Sequence, residues 1–255
     1  MTRTSAVRVG LVFPELLGTY GDRGNAVVLV ERCRRRGLDA ELVEVAAGEP
    51  IPASLDIYLF GGGEDDAQVM AAAGMRASRP AIDAARVNGS VVFAVCAGLQ
   101  LLGSTYEASG GRILDGLGLV DLSTRSGDGR LIGECVVQPD ATTGLPVLTG
   151  FENHGGRTTL GPGVTPLGRV TVGHGNGVGD VDGVLADRLL GTYLHGPVLP
   201  RNPALADHLL GWVLGEDALT PIDDHLVENL RAERLRDAQL TGLAARRRDW
   251  HLNRG

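Results

Sequence analysis

The segment Val91–Leu102, VVFAVCAGLQLL, most limits what this chain can fold into. Five apolar residues run into a cysteine, and a small residue, a glycine and a second apolar run follow. Val91, Val92, Phe93 and Val95 favour a strand, and an unbroken apolar run fits a parallel strand covered on both faces. Ala97 and Gly98 are small enough for a tight strand-to-helix turn. The segment therefore predicts a buried strand over Val91–Val95, a sharp turn at Cys96 and a helix from about Gly98. That is the geometry of a nucleophile elbow, with sulfur in place of a serine oxygen. Such a turn lifts Cys96 off the sheet and aims the first helical N–H groups and the positive dipole end at it, which favours the thiolate. A lone cysteine is equally consistent with a small buried hydrophobe, so the rest of the chain has to choose between the two.

The flanking segments build a sheet around that strand. Val7–Phe13 reads as a first strand, and residues 14–25 form a glycine-rich connection at its C-terminal end, where open α/β sheets collect ligands. Asn25–Arg36 reads as a helix ended by Gly37. Ala40–Val45 and Ile57–Phe60 read as the second and third strands, the latter running into Gly61-Gly62-Gly63. Pro80–Asn88 reads as the helix returning to the Cys96 strand. This alternation predicts an α/β fold with a mostly parallel, doubly wound sheet and flanking helices. After about Leu114 the texture becomes β-rich, with short segments at Leu117–Leu122, Gly133–Val137, Thr149–His154 and Arg169–Val172 separated by glycine turns and expected to form an antiparallel extension or a mixed sheet edge. Leu189–Leu194 is a final strand leading to His195, and Asn202–Leu214 a helix. From Asp223 a long charged helix follows, opened by Thr220-Pro221, with sparse apolar residues at Leu226, Leu230, Leu235 and Leu243. The expected division is one domain over 1–215 and a helical extension over 216–255 that packs on the domain or docks a partner.

Composition removes several functions. The net charge of −7 disfavours generic nucleic-acid binding. No apolar run reaches the roughly 18 residues of a membrane span, and the opening segment lacks a signal peptide's apolar core and cleavage site. The expectation is a cytoplasmic chain. Cys33, Cys96 and Cys135 are too few and too widely spaced for a disulfide framework or a paired-cysteine metal site. All 24 basic residues are arginine. Without lysine there is no phosphate-binding loop ending in Gly-Lys-Ser/Thr and no Schiff-base lysine. We therefore expect no cofactor and no metal in this chain.

A cysteine nucleophile needs a base and an oxyanion hole. His208, His225 and His251 fall in C-terminal helices, and His174 in a glycine-rich loop with no strand to fix it. His195 ends an apolar strand at a tight turn and can stand at the same sheet edge as Cys96. His154, in Phe151-Glu152-Asn153-His154-Gly155-Gly156-Arg157, has similar standing. His195 is the preferred base and His154 the alternative. Gly61-Gly62-Gly63 follows a strand and allows close backbone approach to a ligand, and the Ala97 amide is a second donor beside Cys96.

With these residues in place, Ile57–Gly63, Ala94–Gln100 and Thr192–Gly196 resemble the class I glutamine amidotransferases, in the branch that includes the cobyric acid synthase glutaminase domains. Within that branch, Tyr20–Asn25 and Phe151–Thr158 resemble the glutaminase subunits of lipid II isoglutaminyl synthases. The resemblance runs from about Val7 to Leu214. It implies that Cys96 attacks the side-chain amide of L-glutamine, that His195 is general base and acid, and that the Gly63 and Ala97 amides line the oxyanion hole. It also implies that Arg130 binds glutamine, with a guanidinium fork suited to an α-carboxylate; spacing alone does not separate Arg130 from Arg125. Many class I members carry a glutamate two residues after the histidine. Here Pro197 stands there, as in the cobyric acid synthase branch, leaving Glu152 or Asp22 as substitutes. The resemblance further implies a heterodimer with a Mur-ligase-like partner. That partner uses ATP and magnesium to amidate D-glutamate of the lipid II stem peptide. Other readings are the glutaminase of another synthetase such as a cobyrinate-type amidase, a stand-alone cysteine amide hydrolase, and a catalytically silent scaffold.

Overall fold

A computed structural model describes residues 5–252. The elements in chain order are β1 (Val7–Val12), α1 (Arg23–Arg34), β2 (Ala40–Val45), β3 (Ile57–Phe60), α2 (Asp65–Ala77), α3 (Arg79–Val87), β4 (Val91–Val95) and α4 (Ala97–Leu102). There follow β5 (Thr105–Ala108), β6 (Arg112–Asp115), β7 (Leu122–Pro139), β8 (Leu148–Leu160), β9 (Gly168–Val172), β10 (Val181–Asp182), β11 (Val184–Ala186) and β12 (Leu189–Thr192). The chain closes with α5 (Val198–Arg201), α6 (Pro203–Leu214) and α7 (His225–Leu252).

The apolar runs become a six-stranded sheet in the order β11-β12-β4-β3-β1-β2. All its pairings are parallel except β11 with β12. Every residue of β3, β4 and β12 is buried, as the unbroken apolar sequence requires of strands covered on both faces. The crossed order puts β4 between β3 and β12, so the C-terminal ends of three strands meet at one edge. The triple glycine, Cys96 and His195 follow those ends.

The β-rich half is a second sheet in the order β10-β9-β7-β5-β6, with β8 on β7. Its short predicted segments merge into one long antiparallel hairpin, β7 with β8, whose register shifts between Ser126 and Leu131. The predicted strand at Leu117–Leu122 is not formed. Its first residues instead donate backbone N–H groups to Leu101, Gly103 and Leu102, satisfying carbonyls left open at the end of α4. Helix α2 was not expected, because its run of alanines around Gly74 carries a weak apolar stripe. It packs through Ala71, Ala72 and Met75.

Thr220-Pro221 does not open the last helix. Asp224 does, its carbonyl accepting from Glu228 N–H, while the Asp223 carboxylate accepts from His225 N–H at 3.1 Å. The reason lies in α1. Arg32, only 6% exposed, donates to both oxygens of Asp207 on α6 at 2.7 and 2.6 Å and to both oxygens of Asp224 at 2.9 and 2.8 Å. Arg36 adds a third bond to Asp207 at 2.8 Å. Two carboxylates and two guanidinium groups thus tie α1, α6 and the start of α7 together. Removing one partner strands buried charge, so Arg32→Ala is expected to cost about 3 kcal/mol, read as a lower urea midpoint at unchanged slope. A loss under about 0.5 kcal/mol would contradict this role. The side chains of Leu243 and His251 lie outside the described residues. No described helix is long and apolar enough to cross a membrane.

Candidate active site

Cys96 sits at φ 52°, ψ −106°, a conformation that costs a non-glycine residue strain and persists only where the surroundings impose it. Its N–H donates to Thr192 O on β12 at 2.9 Å, and Gly98 N–H to Gly61 O at 3.0 Å. A Cβ on Gly98 would collide with the Phe60 carbonyl, so only glycine lets α4 cross the end of β3 this closely. Gly63 is constrained in the same way, since a Cβ there would strike the Leu16 carbonyl. The elbow read from the sequence is present, and the triple glycine lies against it.

The expected thiolate is not the resting state. Burial pushes the Cys96 thiol up to about 12, with the nearby Asp22 charge acting in the same direction and the Ala97 N–H against it. The amide at the start of a six-residue helix is outweighed by the loss of solvation. Cys96 is therefore a neutral thiol in the free chain, and its proton has to leave as it attacks.

Cys96 lines a cleft that Gly63, Ala97, Gln100, Arg130 and His154 also line. Arg130 reaches it from the residues that the β7 register shift extrudes, a bulge re-aiming a side chain beside a site. Its guanidinium donates to Asn153 Oδ1 at 2.9 Å, to the Asn153 carbonyl at 3.1 Å and to the Tyr20 hydroxyl at 3.2 Å. Arg125 pairs across β7–β8 with Arg157 and does not line the cleft, whereas Arg130 does, so the fold separates two arginines that spacing could not. Tyr20, Asn153 and Gln68 were missed as cleft residues. Only the glycine-rich setting of Tyr20 and the proximity of Asn153 to His154 could have flagged them.

His195 follows β12 by three residues and is bridged to Phe151, N–H to O at 2.7 Å and O from N–H at 3.0 Å. Its ring lies 4.4 Å from that of Tyr20 and has no hydrogen-bond partner for either nitrogen among the described residues. His154 is brought to the same region. Its ring stacks on Tyr193 at 3.8 Å, and its Nδ1 meets the Gly156 carbonyl at 3.1 Å. A buried chain of polar contacts runs behind them, from Gln68 to Gln100 (2.6 Å), Tyr193 (3.1 Å), Thr158 (2.6 Å) and Thr124 (2.7 Å).

Of the two substitute acids, Glu152 is spent elsewhere. It is 1% exposed and accepts from His174 Nδ1 at 2.7 Å, from His174 N–H at 3.0 Å and from Gly175 N–H at 2.9 Å. This also fixes His174, which the sequence left loose. Asp22 accepts from Gly62 N–H at 2.7 Å and Asn25 Nδ2 at 3.1 Å, which steadies the middle of the triple glycine. A Cβ on Gly62 would stand 2.9 Å from His195 Cε1 and 3.5 Å from Asp22 Oδ2, so carboxylate and imidazole flank the same glycine without a bond between them.

Both imidazoles are held neutral. Burial lowers His154 to about 3, with Arg157, His195 and Arg130 adding to the effect, and lowers His195 to about 4, with Arg130 adding. Unfolding returns each to its ordinary value near 6.5. The unfolded chain then binds more protons, so these groups make stability fall as pH falls from about 6.5 to about 4 for His195 and to about 3 for His154. Asp22 and Asp182, pushed up to about 6 chiefly by burial, act in the opposite sense between the ordinary carboxylate range and about 6. The expected result is that His154→Phe flattens the acid loss of stability, measured by urea unfolding from neutral pH to about 5. An unchanged slope would contradict a neutral buried ring.

Residues 8–203 match the CobB/CobQ-like glutamine amidotransferase domain.

The chain belongs to that glutamine amidotransferase family.

It is 39% identical over 196 residues to the GatD subunit of lipid II isoglutaminyl synthase (glutamine-hydrolyzing) from Staphylococcus aureus strain N315, covering 76% of this chain and 79% of that one. It is 32% identical over 240 residues to the corresponding Streptococcus pneumoniae subunit (strain ATCC BAA-255 / R6), covering 91% and 92%. A cobyric acid synthase from Pelotomaculum thermopropionicum is 36% identical over 183 residues, which is 66% of this chain and 34% of that protein. Among solved structures, a glutamine amidotransferase superposes with a TM-score of 0.51 at 20% identity, covering 80% of this chain and 98% of that one. The amidotransferase fold expected of the parallel sheet is thereby established.

Proposed function

We propose that this chain is a glutaminase subunit that hydrolyses L-glutamine and passes the ammonia to a Mur-ligase-like partner, which amidates D-glutamate of the lipid II stem peptide. The observation that carries the reading is Cys96 at a strained elbow, on a cleft shared with Gly63, Ala97 and Arg130. The two GatD relatives, covered over 79% and 92% of their length, support the choice of pathway. The cobyric acid synthase is covered over 34%, so a cobyrinate-type assembly requires most of the relative's length from elsewhere.

In the proposed mechanism Arg130 holds the α-carboxylate through its fork. Cys96 sulfur attacks the side-chain amide carbon while His195 takes the thiol proton. The Gly63 and Ala97 N–H groups hold the tetrahedral oxyanion. His195 returns the proton to the departing nitrogen, releasing ammonia and leaving a glutamyl thioester. Water, deprotonated by His195, then attacks the thioester carbon. Glutamate leaves and the thiol is restored. A neutral thiol, and an imidazole with no hydrogen-bond partner among the described residues, make the free chain a poor catalyst, which fits a subunit whose site is completed in a heterodimer.

ATP and magnesium belong to the partner in this reading, because a chain without lysine has no Gly-Lys-Ser/Thr loop to hold a nucleotide. Residues 216–255 form the segment beyond the amidotransferase domain that is available for partner docking, and the assembly works in the cytoplasm. Copurification tests the assignment. Capture of a Mur-ligase-like protein, with ATP- and L-glutamine-dependent amidation of lipid II by the pair, is the expected result. Capture of a cobyrinate-type synthetase, or robust turnover of other amides by the chain alone, would overturn it.

A further inference from the structure

A residue that lines the cleft carries a buried acceptor with no partner among the described residues. His154 is 2% exposed. Its Nδ1 stands 3.1 Å from the Gly156 carbonyl, and a carbonyl oxygen only accepts, so Nδ1 carries the proton and Nε2 keeps its lone pair. The ring cannot easily turn, because it stacks on Tyr193 and the Tyr193 hydroxyl is held by Thr158 and Gln100. Nε2 is buried and has no hydrogen-bond partner among the described residues. Buried polar atoms are nearly always paired, which leaves this one open to a donor from outside the described residues.

L-glutamine brings donors of two kinds, its side-chain amide NH₂ and its α-ammonium. Arg130, which would hold the α-carboxylate, is fixed on both the side chain and the carbonyl of Asn153, the residue immediately before His154. The ammonium sits on the same carbon as that carboxylate. Two carboxylates also line the cleft, but Glu107 already accepts from Ser126 N–H and Glu64 is exposed to water. We propose that His154 is the specificity-determining residue of this cleft, its Nε2 accepting a hydrogen bond from the α-ammonium of the substrate. The inference rests on the glutaminase reading above. It gives the second histidine of the site a role in binding, distinct from proton transfer at sulfur. The depressed basicity of the ring fits that role, since an imidazolium would repel the ammonium.

The test compares kcat/KM for L-glutamine with that for glutaramate, which is glutamine without its α-amino group, using the full chain with its synthetase subunit. His154→Phe keeps a stacked ring, and His154→Asn keeps a donor for the Gly156 carbonyl; both remove the acceptor. His154→Gln places an amide group where Nε2 stands. Removing the acceptor should lower kcat/KM for L-glutamine roughly 10- to 100-fold, the range for a hydrogen bond to a charged group. The loss should lie mainly in KM, with glutaramate turnover unchanged and His154→Gln restoring part of the preference. An equal loss on both substrates, carried by kcat, would show that His154 acts through His195 and would overturn the proposal, as would no loss on either. A wild-type chain that hydrolyses neither substrate would instead refute the glutaminase reading itself.

Discussion

The Cys96→Ala chain should release no ammonia from L-glutamine above the uncatalysed background, alone or with its partner. The expected loss is at least about 10⁴-fold, because removing a covalent nucleophile leaves only binding and the oxyanion donors. No second thiol can replace it. Cys33 and Cys135 are fully buried, on α1 and β7, outside the cleft. Alanine also keeps the small volume at the elbow, so the folded structure should survive, to be checked by thermal unfolding. Ammonia release persisting within tenfold of wild type would remove Cys96 from the chemistry and return it to the role of a small buried side chain.

The second large effect is at His195. His195→Ala should lower turnover by about 10²- to 10⁴-fold, the range for a positioned general base, with little change in KM. The argument is topological as well as chemical. β12 lies directly beside β4, with Thr192 opposite Val95, so residues just past the two strand ends face one another. Asp182, buried between the sheets, accepts from Thr192 Oγ1 at 2.5 Å and from Tyr193 N–H at 3.1 Å, which fixes the approach to His195. The burden on the imidazole is greater than usual, because Cys96 begins as a thiol and Pro197 offers no carboxylate. If His154 were the base instead, His154→Phe would show the loss in kcat and His195→Ala would not. Steady-state kinetics on the two variants separates the assignments.

The parallel sheet was legible because its strands are buried on both faces, and such strands advertise themselves as unbroken apolar runs. β2, β3 and β4 fall on their predicted residues, and β1 and β12 end only slightly early. The elbow was legible for a related reason, since a small residue and a glycine between a strand and a helix leave few conformations for Cys96. What stayed hidden depends on partners distant in sequence. The glycine-rich run before Arg130 reads as a turn between short strands, yet it is a bulge within one long strand, because Leu131 re-registers on His154. The start of α7 is set by Asp224 meeting an arginine nearly two hundred residues away, against a nearer and better-looking proline. Glu152 looked available as an acid until a loop twenty residues on closed over it. The sequence preferred His195 to His154 only narrowly, and both rings end up buried, His154 lining the cleft and His195 against Tyr20.

The most direct measurement of the central claim is covalent labelling by a chloroketone analogue of glutamine, with the site mapped by peptide mass spectrometry on the full chain, free and with its partner. The account predicts incorporation at Cys96 alone, slowed by L-glutamine, absent from Cys96→Ala and faster in the presence of the partner. Incorporation at Cys33 or Cys135, or none at all in a folded chain that still releases ammonia, would contradict it.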